Sequence, residues 1–225
     1  MTELPQHQAL DGAFARRWVA EFVAQFTAQA GLLTDLDRQA GDGDFGANLR
    51  SALSKAQGYL DQLEPESFAE VFDAVSKGFL NTGGTSGPLF GMWFRELAKA
   101  GRHDLVDVAT LAAGAADGLA VIQRLGRAAV GDCTMVDAIA PAAEALAQAR
   151  DQRDDLGRAL AAAAAAARVG AMSTRDLVAS RGRASYVGEV ARGIPDPGAV
   201  AVALFFAAGV IAHGDAQPDG AWLTG

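Results

Sequence analysis

Apolar residues recur at helical spacing along nearly all of this 225-residue chain, and that period fixes its class. Phe14, Trp18, Phe22, Val23 and Phe26 fall on one face of a helix with 3.6 residues per turn, which predicts a first helix from about residue 11 to Gly31, followed by a glycine-rich turn. Alanine and leucine far outnumber the β-branched and aromatic runs that mark strands, so the expected fold is all-α. Further helices are predicted at about 46–63, 67–80, 86–100, 105–125, 134–149, 153–172 and 198–213, about eight in total, with ordinary loop lengths between them. The stretch from Leu156 to Val169 is almost entirely alanine and reads as a close-packed helix–helix contact.

Composition bounds the remaining possibilities. A hydrophobic fraction of 50% supports a sizeable core, and nothing separates the chain into halves. It therefore reads as a single domain over residues 1–225 with short flexible ends at about 1–10 and 214–225. A formal net charge of −8 argues against a nucleic-acid partner, which would need clustered Lys and Arg. A single cysteine, Cys133, leaves no intrachain disulfide. The N-terminal residues lack the basic and apolar regions of a signal peptide, and no uninterrupted apolar stretch approaches the roughly 18–20 residues of a membrane span. A cytoplasmic protein without a membrane partner is expected.

Three polar segments interrupt the helices. The first, Asp37-Arg-Gln-Ala-Gly-Asp42-Gly-Asp44, places three carboxylates within eight residues. Their repulsion is relieved by a cation or by solvent, and hard cations such as Mg²⁺ take this type of oxygen ligand. The glycines let the backbone turn sharply enough to converge the side chains. The spacing is not that of an EF-hand, and Mg²⁺, which completes its shell with water and substrate phosphates, suits it better. A solvated acidic turn ahead of the next helix explains the same segment equally well.

The second, Gly83-Gly-Thr-Ser-Gly-Pro88, leads into a helix, where free backbone N–H groups and the Thr85 and Ser86 hydroxyls could cradle a phosphate. It is no P-loop, lacking the Gly-Lys-Ser/Thr element, and an ordinary helix start is the alternative. The third, Arg181-Gly-Arg183-Ala-Ser-Tyr-Val-Gly188, is followed by Asp196-Pro-Gly198. Either arginine could grip a phosphate bidentately or simply be solvated, and Asp-Pro-Gly reads as a turn and helix start. His7, His103 and His213 lie outside all three segments, so zinc or histidine chemistry has no local support. Cys133, in a Gly-Asp-Cys-Thr turn, and Trp18, Trp93 and Trp222 read as packing residues.

In this order and at these separations, the segments resemble the L subunits of bacterial dihydroxyacetone kinases. The resemblance spans about residues 10–213. It rests on Leu36-Asp-Arg-Gln-Ala-Gly-Asp-Gly-Asp44, Gly83-Gly-Thr-Ser-Gly-Pro-Leu-Phe-Gly91, Gly131-Asp-Cys-Thr-Met135 and Gly182-Arg-Ala-Ser-Tyr-Val-Gly-Glu189. It implies an antiparallel barrel of eight helices with the nucleotide at one end. It further implies that Asp37, Asp42 and Asp44 ligate Mg²⁺, as a pair of ions, beside the phosphates of ADP or ATP. By the same resemblance Phe45, Gly46, Ala47 and Asn48 form the phosphate-binding helix start, with Thr85 and Ser86 as a second phosphate contact. Gly126 and Met135 correspond to residues around the adenine, Arg183 to a nucleotide-contacting and catalytic arginine, and Asp196, Pro197 and Gly198 to the closing loop. Family members commonly carry His where this chain has Phe45, which removes any side-chain hydrogen bond there while leaving a backbone contact intact.

The implied activity is that of a phosphotransferase subunit, moving a phosphoryl group to dihydroxyacetone held by a separate K subunit. The donor is either ATP or a bound ADP rephosphorylated by a phosphotransferase-system M subunit. A homodimer is a further candidate assembly. Two other readings stand beside it: the nucleotide domain of a kinase for another small polyol or a fatty acid, and a regulatory nucleotide-binding module without catalysis.

Overall fold

A computed structural model describes residues 10–102 and 106–214. His7, His103 and Trp222 lie outside these residues, as does most of each end expected to be flexible. Leu10, at the edge of the N-terminal end, is buried and donates its N–H to the Val106 carbonyl at 2.9 Å.

The described residues form eight α-helices and three short 3₁₀ turns, with no strand among them. The helices are α1 (Gly12–Ala40), α2 (Phe45–Leu63), α3 (Phe68–Leu80), α4 (Ser86–Ala100), α5 (Val108–Gly126), α6 (Val136–Gln152), α7 (Leu156–Ser173) and α8 (Pro197–His213). Each packs on its sequence neighbour, and α8 also packs on α1, so the eight pairings close into a ring. The 3₁₀ turns all lie in the long connection from α7 to α8.

Local chemistry explains most boundaries. Ser67 and Glu70 form a capping box at the start of α3. Asp11, Asp107 and Asp155 accept hydrogen bonds from the third residue of α1, α5 and α7. One boundary departs from expectation. The first helix does not stop at Gly31 but runs nine residues further, because Leu33 and Leu36 continue its buried stripe beyond the glycine. That continuation places Asp37 on a helix rather than in a loop.

An aromatic cluster fills the ring. Trp18 stacks on Phe205 at 4.7 Å between centroids, Phe94 meets Phe72, Phe79 and Phe205, and Trp93 lies edge-on to Phe205. Each such fully buried ring contributes on the order of 2 kcal/mol of hydrophobic stabilisation. The Trp18 indole N–H donates to the Phe205 carbonyl at 2.7 Å, which satisfies the one polar atom the ring brings inside. Helix α8 is buried on all sides, as its unbroken apolar sequence requires.

Small residues set the closest helix approaches. An alanine methyl at Gly170 of α7 would stand 2.1 Å from the Asp137 carbonyl of α6, so the alanine-rich helix lies directly on its neighbour. Helix α5 is, by length and composition alone, apolar enough to cross a membrane, but Asp117 and Arg124 interrupt it, so it is not an uninterrupted apolar stretch of that length. Its hydropathy reflects the alanines and glycines that let it pack between α4 and α6, with Gly118 against the Trp93 ring.

Candidate functional site

A cleft of about 850 Å³, open to solvent, lies where α2, α4, α6 and α8 begin and α1 ends. Its acidic wall is Asp37, Asp42 and Asp44. The start of α4, the Cys133–Met135 turn, residues of the Arg181–Ala184 segment and Asp196–Gly198 complete the lining. Leu89, Phe90, Met135 and Pro197 make part of it apolar, as a stacked heterocycle requires.

Asp37 is nearly buried, on the last turn of α1, and its Oδ2 accepts the Phe45 N–H at 2.8 Å. Burial raises its carboxyl above the ordinary range, the Phe45 hydrogen bond opposes that, and the neighbouring Asp42 and Asp44 charges raise it further. The bond to Phe45 crosses the Gly41–Asp44 turn and fixes the end of α1 against the start of α2. Asp42 and Asp44 are exposed on that turn, where Gly43 takes a φ of +79° that disfavours any side chain. The Asp44 N–H points to Asp42 Oδ1 at 3.4 Å. Among the described residues no three His, Cys, Asp or Glu side chains stand close enough to form a ready-made metal centre. The three aspartates share one cleft without being drawn into a single coordination sphere.

The residues of the phosphate-binding segment divide. Phe45 and Asn48 line the cleft. Gly46 is buried beneath it, where a methyl would stand 2.3 Å from Thr34 Oγ1, and Ala47 faces solvent. The Phe45 ring turns into the core beside Phe90, so the residue presents its backbone N–H to the site and its side chain to the interior. Thr85 and Ser86 open α4 at the cleft. Neither α2 nor α4 receives a hydrogen bond from the side chain at its capping position.

Met135 lines the cleft, whereas Gly126 does not; it closes α5 near Leu89, which does. Asp196, Pro197 and Gly198 line the cleft at the start of α8. Asp196 caps that helix through Ala199 N–H at 2.7 Å, and its own N–H donates to Thr174 Oγ1 at 2.8 Å. Burial, the Ala199 bond notwithstanding, pushes its carboxyl up to about 7, with Asp137 and Asp37 adding to the shift. Arg183 begins the 3₁₀ turn Arg183–Tyr186, and its side chain lies outside the described residues. Arg181, two positions earlier, lines the cleft.

One residue that sequence reasoning passed over helps to organise the site. Asp137, buried in the first turn of α6, accepts from Gly131 N–H at 2.5 Å and Thr134 N–H at 2.8 Å, so it holds the turn that lines the cleft. Cys133 takes a φ of +59° in that turn; its thiol is buried, approaches the Thr174 carbonyl at 3.5 Å, and is pushed up to about 12 chiefly by burial. Such a thiol is inert, in line with a packing role. Only the acid in the first turn of α6 left a trace in the sequence, as an Asp three residues after Thr134.

Comparison with known proteins places the cleft in context. A DAK2 domain is recognised over residues 39–210. The chain is 35% identical over 197 residues to the ADP-binding subunit DhaL of PEP-dependent dihydroxyacetone kinase 1 from Listeria innocua, covering 87% of this chain and 94% of that one. It is 36% identical over 190 residues to the corresponding Escherichia coli subunit, covering 82% and 89%. The crystal structure of dihydroxyacetone kinase from C. freundii in complex with AMP-PNP and Mg²⁺ superposes with a TM-score of 0.68 at 26% identity. There the match covers 96% of this chain and 36% of that longer one.

Proposed function

The chain belongs to the DAK2-domain family, and from that premise we propose that it is the nucleotide-binding subunit of a dihydroxyacetone kinase, working in the cytoplasm as a single domain. It binds ADP or ATP in the α2–α4–α6–α8 cleft and serves transfer of a phosphoryl group to dihydroxyacetone held by a K subunit. One observation carries this reading: the three carboxylates and the starts of α2 and α4, free of side-chain caps, line the same cleft. Anionic phosphates suit such helix starts, and carboxylates beside them suit a hard divalent cation.

The donor set fits Mg²⁺. Asp37, Asp42 and Asp44 offer only hard oxygen, and burial, with the Asp42 and Asp44 charges adding to it, raises the Asp37 carboxyl, a cost that a bound cation would offset. These three would hold the metal, probed most simply as a pair of ions, and when bound it would neutralise phosphate oxygens. The chain's own groups do the rest. The Phe45 amide keeps Asp37 in place, the remaining N–H groups opening α2 and α4 donate to phosphate oxygens, Thr85, Ser86 and Arg181 supply further donors from the cleft lining, and Arg183 adds another. Leu89, Met135 and Pro197 enclose the base.

The chain spans nearly the whole of two relatives named as ADP-binding subunits of PEP-dependent kinases, which supports a bound ADP that is rephosphorylated in place by an M subunit. A K subunit would meet the cleft face, where Tyr186 and Val190 stand 91% and 82% exposed beside the Arg181–Ala184 segment. Titration calorimetry of Asp42→Ala with ADP and Mg²⁺ tests the site. Affinity is expected to fall by roughly 10- to 100-fold, the range seen when even an outer partner of a bound metal is lost. Unchanged affinity overturns the metal assignment. Reconstitution with a K subunit, comparing ATP with an M subunit and its phosphohistidine donor, identifies the active pairing.

A further inference from the structure

Asp132 lies outside the cleft lining, yet the contacts between two cleft-lining segments converge on it. Its Oδ1 accepts the Ser180 hydroxyl at 2.5 Å, and its carbonyl accepts the Ser180 N–H at 3.2 Å. Its Oδ2 accepts the Ala129 N–H at 2.8 Å and stands 3.5 Å from Arg181 Nε, which also donates to the Arg127 carbonyl at 2.8 Å. Asp132 thus organises the turn that leads into Cys133–Met135 and ties to it, across 48 residues of sequence, the segment carrying Arg181, Gly182 and Ala184.

The connection it anchors is long. From Thr174 to Asp196 the chain has only 3₁₀ turns, whose internal bonds are local: Val187 N–H to the Ala184 carbonyl and Arg192 N–H to the Glu189 carbonyl. Its far end returns to the α7 terminus through Gly193 N–H to the Arg175 carbonyl at 2.8 Å and Asp196 N–H to Thr174 Oγ1. Its last 3₁₀ turn, Gly188–Ala191, also packs on α1, so freeing the Asp132 end would loosen the cleft-lining Arg181–Ala184 stretch in particular.

We propose that Asp132 and Ser180 form a latch that holds the Arg181–Ala184 segment against the cleft and thereby sets how long the nucleotide stays bound. Asp132 is a positioning residue: it acts on the ligand through Arg181, Gly182 and Ala184. The proposal rests on the cleft being the nucleotide site. Ser180 is exposed and contributes one hydroxyl, so its removal leaves the folded core intact.

The test is stopped-flow displacement of a fluorescent ADP analogue by excess ADP, in Mg²⁺, on the full chain and on Ser180→Ala, Asp132→Asn, their double variant and Ser180→Thr. Loss of one hydrogen bond to a charged group accelerates dissociation about tenfold in each single variant. The double variant is no faster than the worse single one, Ser180→Thr restores the slow rate, and in Ser180→Ala association and the melting temperature of the ligand-free chain stay as in the wild type. Dissociation unchanged in every variant, with the wild type binding normally, overturns the latch alone. A wild-type chain that fails to bind Mg²⁺–ADP overturns the nucleotide site and the latch with it.

Discussion

Replacing Gly31 by alanine distinguishes a continuous first helix from one that ends at the glycine. Gly31 lies inside α1, faces solvent, and has no positive φ. A methyl added there meets nothing within 4 Å, so the substitution neither gains nor loses packing. What remains is the backbone term, about 0.5–1 kcal/mol in favour of alanine within a helix, from the freedom glycine retains when unfolded. For a chain of this size that corresponds to a rise of about 1–4 °C in melting temperature. Gly58 is an internal control: it too is exposed inside a helix with nothing within 4 Å, so Gly58→Ala should give the same increment. Urea denaturation followed by circular dichroism measures both, with an unchanged slope confirming that only stability moved. If Gly31 instead terminated the helix in the left-handed region, alanine would be strained there and the chain would lose stability. Loss at Gly31 with gain at Gly58 would refute the continuous helix, and with it the position of Asp37 on the last turn of α1.

Gly170→Ala should do the opposite. Its methyl would meet the Asp137 carbonyl at 2.1 Å and Pro141 Cγ at 2.8 Å, forcing α7 away from α6 at a cost of about 1–3 kcal/mol. Because Asp137 holds the turn that lines the cleft, calorimetry on the folded variant should also show weaker ADP binding; normal stability would contradict the helix contact. The Asp196 carboxyl yields a pH prediction. Titrating near 7 when folded but near 3.8 otherwise, it keeps a proton between those values that the unfolded chain has lost, so its contribution to stability declines as pH rises through that window. Asp196→Asn retains the cap on Ala199 and should make stability less dependent on pH between about 4 and 7. An identical slope in urea melts of both proteins would show that Asp196 is not the group responsible.

Local signals were legible and long-range ones were not. The Ser67 to Glu70 spacing announces the start of α3 because a capping box is closed within one turn. Gly31 misleads because glycine is the residue that most often ends a helix, and what carries α1 onward is the burial of Leu33 and Leu36, visible only once a neighbouring helix is in place. In the cleft, Asp42, Asp44, Thr85 and Ser86 stand out as polar residues among glycines. Asp132 and Ser180 do not: Asp132 lies in the Gly131–Met135 segment and Ser180 beside Arg181, but nothing in the sequence pairs them across 48 residues. Phe45 shows the limit from the other side. Its ring is ordinary core, and its contribution is an amide, which no side-chain reading can detect.

The distribution of caps explains why an acidic chain can take an anionic ligand at this end. The helices that begin at the far end, α1, α3, α5 and α7, are each capped by their own Asp11, Ser67, Asp107 and Asp155. Of those that begin at the cleft, α2, α4 and α6 lack a bond from the capping side chain, and only α8 has one, from Asp196. An unfilled helix start concentrates positive potential from N–H groups and the helix dipole within the first turn. The first N–H of α2 goes to Asp37 and that of α6 to the Thr134 hydroxyl, but the next N–H groups of these helices and of α4 offset locally the net charge of −8. The same potential makes the cleft tolerant of Asp37, Asp137 and Asp196 in partly or fully buried positions, each spending its oxygens on backbone amides. Phosphate and carboxylate therefore answer the same requirement, and a divalent cation lets both be present at once.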